Sequence, residues 1–210
     1  MLKLQAVQII HNKEPLFPPL SIDIKPGEIA SIMGPSGCGK STLLSAISGN
    51  LADVFSLEGD VQLNDHSVLP LPMEKRRIGI LFQDDLLFPH MSIAENLAFA
   101  LPQALLKSER QEKIAEALKQ AGLSDFEKRD PGTLSGGQRA RVSLLRSLLA
   151  EPKALLLDEP FSKLDQELKD QIRTFVFDTV RRMNIPALLV SHDVRDCPEG
   201  QVINLAKQEG

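Results

Sequence analysis

The sequence predicts an α/β fold with a helical insertion near residues 84 to 150. Three observations carry that reading: strand-like runs at both ends of the chain, a helix-rich middle, and a glycine loop between a strand and a helix. Residues 2 to 32 hold "LKLQAVQI", "LSIDI" and "EIASIM", with the turn "KPGE" between the last two. After the glycine loop, "STLLSAIS" has helical character and stops near Gly49-Asn50. "DVQLND" alternates like a strand, and "IGILFQ" is a continuous apolar run of the buried kind. Further on, Ser108-Glu109-Arg110-Gln111 has capping-box spacing, and Ile114, Leu118 and Ala121 follow at helical intervals before Gly122. Residues 139 to 150 place Val142, Leu145 and Leu149 on one helical face. Strand character returns at "ALLLD" from Ala154, followed by a long helix from about Asp165 to Met183 and the strand of "PALLVSHD".

The 210 residues suit one domain with a subdomain inserted in it, and no internal repeat or low-complexity segment interrupts them. Hydrophobic residues make up 42% and charged residues 25%, ordinary values for a globular protein that builds its core without disulfides or metals. A net charge of −4 gives no basic signal for nucleic acid. No apolar stretch approaches the ~18–20 residues that cross a bilayer. The N-terminus lacks the apolar region and cleavage site of a leader. Cys38 and Cys197 stand far apart without spaced partners, so a cytosolic setting is expected.

"GPSGCGKST", Gly34 to Thr42, has the spacing of a phosphate cradle. The glycines of Gly34-Pro35-Ser36-Gly37-Cys38-Gly39 let backbone N–H groups curl around phosphate oxygens. Lys40 is expected to reach the β and γ phosphates, Ser41 to ligand Mg²⁺, and the following helix to add its dipole. "ALLLDEP", residues 154 to 160, reads as a buried parallel strand with acids at its C-terminal edge, where such sheets place ligands. There Asp158 would hold Mg²⁺ through water and Glu159 would polarise the attacking water. "LSGGQRAR", residues 134 to 141, admits two readings. Ser135 and Gln138 form a capping box, yet Gly136 and Gly137 each cost a helix about 1 kcal/mol relative to Ala. Behind a serine at a helix start they also make a second anion site.

"LSGGQ" with the glycine loop, "ALLLDEP", a glutamine in "LFQDD" and a histidine in "VSHD" resembles the nucleotide-binding subunit of ATP-binding-cassette (ABC) transporters. The motifs come in that family's order through almost the whole chain. The resemblance implies a P-loop NTPase (RecA-like) core with an antiparallel β subdomain and an inserted α-helical subdomain, using ATP and Mg²⁺. It implies that two subunits pack head to tail, so that Ser135 and Gly137 of one cover the γ-phosphate in the glycine loop (Walker A) of the other. Gln83 matches the glutamine that contacts Mg²⁺ and the water, Asp165 in "SKLD" the loop linking the two ATP sites, and His192 the switch histidine. Lys163 replaces a commoner small residue. The aromatic that stacks on adenine, about two dozen residues before the cradle, has its counterpart in His11, with Phe17 as the alternative, which leaves the choice between ATP and GTP open. Cys38 reads as a small filler.

"ILFQDDLLFPHMSIAENLAFAL" resembles the same region of bacterial importers, where it receives a short helix of the permease. Leu86, Leu87, Phe88, Met91 and Leu97 would offer the apolar contacts of a helix-in-groove site. The implied setting is peripheral, at the cytoplasmic face of the inner membrane. The implied partners are a transmembrane permease, a second copy of the chain and, through the permease, a periplasmic or extracellular solute-binding protein. Only 18 residues follow His192, so no C-terminal regulatory domain is expected. The short form is most similar to ATPases of thiamine-like, sulfate, iron and molybdate uptake. Iron–sulfur assembly ATPases, exporters and lipoprotein-release ATPases are the alternatives.

Overall fold

The computed structural model describes residues 1–205, the Glu167 side chain excepted. The chain divides into two compact units: Met1–Ile80 with Lys153–Glu159 and the stretch from Phe177 onward, and Leu81–Pro152 with Pro160–Val176.

The first unit carries two five-stranded sheets. In the antiparallel one, β1 (Leu2–His11) pairs with β5 (Phe55–Leu63) and, along different stretches of its length, with β2 (Glu14–Pro15) and β3 (Leu20–Ile24). β6 (His66–Ser67) extends β5. β3 alternates buried and exposed, as the hydrophobic-polar pattern of "LSIDI" requires of a strand with one face on the core. β5 starts at Phe55, earlier than its alternating residues predict, because pairing with β1 carries the strand past the end of the pattern.

The second sheet has the order β10 (Val202–Asn204), β4 (Ile29–Met33), β9 (Ala187–Ser191), β8 (Ala154–Asp158), β7 (Ile78–Leu81). The β10–β4, β4–β9 and β9–β8 pairs are parallel. β8 and β9 are unbroken apolar runs because the parallel sheet is covered on both faces; Leu155 to Leu157 and Leu188 to Val190 are fully buried. Burying each such side chain stabilises by about 1.5–3 kcal/mol. Register is what positions the site. Met33 pairs with Ser191 and Asp158 with Val190, so Gly34, Glu159 and His192 all leave the sheet at the same edge. α1 (Lys40–Ser48) starts at that edge and buries Leu43, Leu44 and Ile47 in the core that β4, β8 and β9 share.

The second unit is helical: α2 (Ile93–Ala98), α3 (Lys107–Gln120), α4 (Gly136–Leu149) and the start of α5 (Gln166–Met183). Ile93, Leu97, Leu118, Val142 and Leu145 form its core. α3 begins before the predicted Ser108 cap. Its N-cap is Leu106, whose N–H donates to the Glu109 carboxylate, so Glu109 serves the helix start while Ser108 lies inside it. In α2, Ser92 and Glu95 cap each other reciprocally. Buried Asn96 accepts from Phe88 N and donates to the carbonyls of Phe88, Met91 and Ser92, knitting the turn before the helix.

Candidate functional site

β4 ends at Met33 and α1 begins at Lys40, leaving Gly34 to Gly39 as the loop between them. Gly37 and Gly39 have φ of 78° and 99°, values natural to glycine. Nothing lies within 4 Å of where a Gly37 Cβ would sit, so the loop is open there. At Gly34 a Cβ would come within 2.7 Å of both Cys38 Sγ and the Leu205 carbonyl oxygen. Cys38 is fully buried and fills space against that backbone. α1 has no side-chain cap, so its first-turn N–H groups are offered to an external acceptor. Lys40 is 5% exposed and its Nζ donates to the carbonyls of Gly34 and Pro35, at 2.8 and 3.0 Å.

Below the loop, Ser41 Oγ donates to Asp158 Oδ1 at 3.0 Å. Burial pushes the Asp158 carboxyl above its ordinary value and Glu159 adds to the shift; the Ser41 hydrogen bond and Lys40 oppose it. Glu159 has φ of 45°, a left-handed conformation that costs a residue with a side chain about 1–3 kcal/mol and persists where its surroundings enforce it. Its N–H is held by the Val190 carbonyl, and its Oε2 lies 3.0 Å from His192 Nδ1. Among the described residues, no three of His, Cys, Asp and Glu are grouped to hold a metal by themselves. Ser41 and Asp158 supply two adjacent hard oxygen donors, a fit for Mg²⁺ when phosphate and water complete its shell.

A cleft of about 390 Å³ joins Gly37, Lys40, Ser41 and Glu159 to a ring pair, His11 and Phe55. These two are register partners on β1 and β5, with centroids 5.0 Å apart and planes tilted by 42°. Phe17, the alternative adenine stacker, is fully buried against the glycine loop and has no face to offer. Phe55 takes its place as the second aromatic. The signal that would have found it is the pairing of β1 with β5, which its local sequence does not contain.

Gln83, Ser135, Gly136, Gly137, Gln138 and Asp165 belong to the second unit. Ser135 Oγ accepts from Gln138 N while Gln138 Oε1 accepts from Ser135 N, so the capping box forms. The two glycines differ. A Cβ at Gly137 would stand 2.4 Å from Leu168 Cδ1, whereas at Gly136 the nearest atom is 3.9 Å away. Packing therefore accounts for Gly137, while half-buried Gly136 has room for a Cβ. Asp165 Oδ1 accepts from Leu168 N and caps α5. Gln83 is exposed in the segment that follows β7. Leu87 and Leu97 of the predicted groove are core residues, Leu97 on α2 and Leu87 in the segment before it. The apolar side chains that face out are Phe82, Leu86, Phe99 and Leu106, with half-buried Phe88 edge-on to Phe99 at 5.2 Å.

A parallel sheet that delivers a glycine loop, two acids and a histidine to one edge defines the class, a P-loop ATPase. The chain belongs to the ABC transporter family, whose profile matches residues 17–162. It is 47% identical over 208 residues to the uncharacterized ABC transporter ATP-binding protein YnjD of Escherichia coli (strain K12), covering 99% of this chain and 96% of that one. Over 194 residues it is 38% identical to the spermidine/putrescine import ATP-binding protein PotA of Bacillus thuringiensis (strain Al Hakam), covering 92% of this chain and 58% of that protein. A solved dimeric structure of MJ0796, a bacterial ABC transporter cassette, superposes with a TM-score of 0.78 at 30% identity, covering 100% of both chains. The chain is thus an ATP-binding, ATP-hydrolysing subunit of an ABC transporter. Such subunits dimerise and work with membrane permeases, and among the described residues no helix is long and apolar enough to cross a membrane.

Proposed function

We propose that this subunit powers import of a small solute, working head to tail with a second copy at the cytoplasmic face of the inner membrane. The observation that carries its hydrolytic role is the strained Glu159, whose carboxylate faces His192 at 3.0 Å beside the Ser41–Asp158 pair. Backbone N–H groups of the glycine loop from Ser36 to Gly39, with Lys40, Ser41 and Thr42, hold the phosphates. Lys40, buried and bonded only to carbonyls among its described hydrogen bonds, swings to the β and γ oxygens. Ser41 and Asp158 would hold Mg²⁺, which would neutralise charge building on the transferred phosphoryl group, and Gln83 would contact the ion as the family's pattern implies. Glu159 takes the proton of the attacking water and His192 steadies it. His11 and Phe55 carry the base. Ser135, Gly136, Gly137 and Gln138, with Asp165, close on the partner's nucleotide.

Residues 84 to 150 form the inserted helical subdomain of the cassette, and the outward apolar residues Phe82, Leu86 and Phe99 support docking of a permease helix there. A relative named for spermidine/putrescine import supports the direction of transport. A solute-binding protein would deliver cargo through the permease, in the manner of the thiamine-like, sulfate, iron and molybdate group. The test is capture with the Glu159→Gln variant in ATP and Mg²⁺, followed by reconstitution of what co-purifies. Import requires a polytopic membrane partner and solute movement toward the compartment that holds ATP. Movement the other way, or reproducibly soluble partners alone, overturns it in favour of an exporter or an assembly-type ATPase.

A further inference from the structure

The segment after β7 presents two adjacent acids, Asp84 and Asp85, and each takes a different cation. Asp84 pairs with Lys163 Nζ, and Asp85 Oδ2 accepts from Arg139 Nε at 2.8 Å. Arg139 also donates to the Leu134 carbonyl, one residue before Ser135. Arg146, one helical stretch further along α4, donates to the carbonyls of Asp85 and Leu86. The downstream side of Gln83 is therefore fastened to α4 by three ties, while its immediate neighbour Asp84 is fastened to the loop before α5 by one. Both acid–cation pairs border a cavity of about 170 Å³ lined by Gln83, Asp84, Asp85, Gly136, Arg139 and Lys163.

We propose that Lys163 is a positioning residue for Gln83. Through Asp84 it couples the loop carrying Asp165 to the loop carrying Gln83, so that displacing one loop biases the other. The two acids repel one another and must face apart, which keeps the Lys163 and Arg139 ties from exchanging partners. This deepens the function proposed above and rests on it for the role of Gln83. Lys163 and Asp84 are 54% and 62% exposed, so the pair contributes little to global stability. That separates local coupling from folding in the test.

The experiment is amide hydrogen exchange on the nucleotide-free protein, with ATP turnover beside it. In Lys163→Ala, peptides covering 82–86 and 161–165 should exchange about 2–5-fold faster, the scale of an exposed ion pair, with Tm unchanged. Lys163→Arg should behave as wild type, and the swapped pair Asp84→Lys with Lys163→Asp should restore both segments. Nucleotide affinity should hold while kcat falls several-fold, because the cradle is untouched. Unchanged exchange, acceleration spread evenly over the chain, or a swapped pair that stays loose overturns the coupling. Faster exchange with kcat unchanged supports the coupling and overturns instead the role given to Gln83.

Discussion

The glycine loop of the first unit and the serine-glycine turn of the helical unit are similar in sequence and are built on opposite terms. In the glycine loop, the fold leaves groups unspent. α1 has no side-chain cap, Gly37 faces open space, and Lys40 has only carbonyls among its described hydrogen-bond partners. In the serine-glycine turn, the fold absorbs almost everything. Ser135 and Gln138 cap each other, Gly137 makes room for Leu168, and Asp165 caps α5. Only Gly136 is left without a structural employment. A motif that folding does not explain points to a ligand by itself; one that folding explains needs a partner before its chemistry shows.

Substitutions at the two ends of this comparison should separate the cases. The largest effect is expected at Glu159, where the backbone is strained for a purpose that folding does not supply. Glu159→Gln should slow hydrolysis by about 10²–10⁴-fold while nucleotide still binds, read by phosphate release beside a nucleotide titration. Turnover near wild type would remove Glu159 from the proton transfer.

Gly136 and Gly137 sharpen the contrast inside one turn. Gly137→Ala must push Leu168 aside and should destabilise by about 1–3 kcal/mol, the usual penalty of overpacking. Gly136→Ala has room and should raise the denaturation midpoint, by up to the ~1 kcal/mol that glycine costs a helix, while lowering ATP hydrolysis. Equal midpoints for the two variants would show that Leu168 relaxes freely and that packing does not require glycine at 137.

What could be read from sequence followed the same division. β8 was legible to the residue because a continuous apolar run ending in acids has a local cause. α5 starts one residue after its predicted position because Asp165 is its cap. The glycine loop was legible because its glycine, lysine and serine spacing lies within one contiguous stretch. The sequence offers Phe17 as the alternative to His11 and does not mark Phe55, since which ring reaches the cleft depends on β1 lying against β5. Leu97 looked available for a partner until the helix around it turned it inward. The need for Gly137 was hidden for the same reason, its neighbour Leu168 being far along the chain. Short elements such as β10 and α2 carry too few residues for a period to show.

The His11–Phe55 pair gives a smaller effect that tests the open site from its other end. Phe55→Ala should weaken ATP and GTP alike, by the ~0.5–1.5 kcal/mol of one aromatic contact, because neither ring reads the edge of a base. Titration with both nucleotides decides it. A loss confined to one would mean that a polar group nearby discriminates, and an unchanged affinity for both would return the stacking role to His11 alone.

The smallest effect on stability is expected at Asp158, and its sign is the informative part. Burial raises this carboxyl in the folded protein above its ordinary value of 3.8, so the folded chain holds the proton more tightly than the unfolded one. Stability then falls as pH rises from the ordinary carboxylate range through the raised folded value, and it stays lower at neutral pH. Asp158→Asn removes the charge while keeping an oxygen for Ser41 Oγ. The nucleotide-free variant should therefore melt above wild type at neutral pH and converge with it as pH drops below the ordinary range. In the same variant, Mg²⁺-dependent hydrolysis should fall. Stabilisation together with lost turnover would mean that the ionised acid is retained for the reaction against the interest of the fold, as the open character of the first site requires. Destabilisation at neutral pH would mean that Ser41 and Lys40 already satisfy the carboxylate, and the two sites would then differ less than their geometry implies.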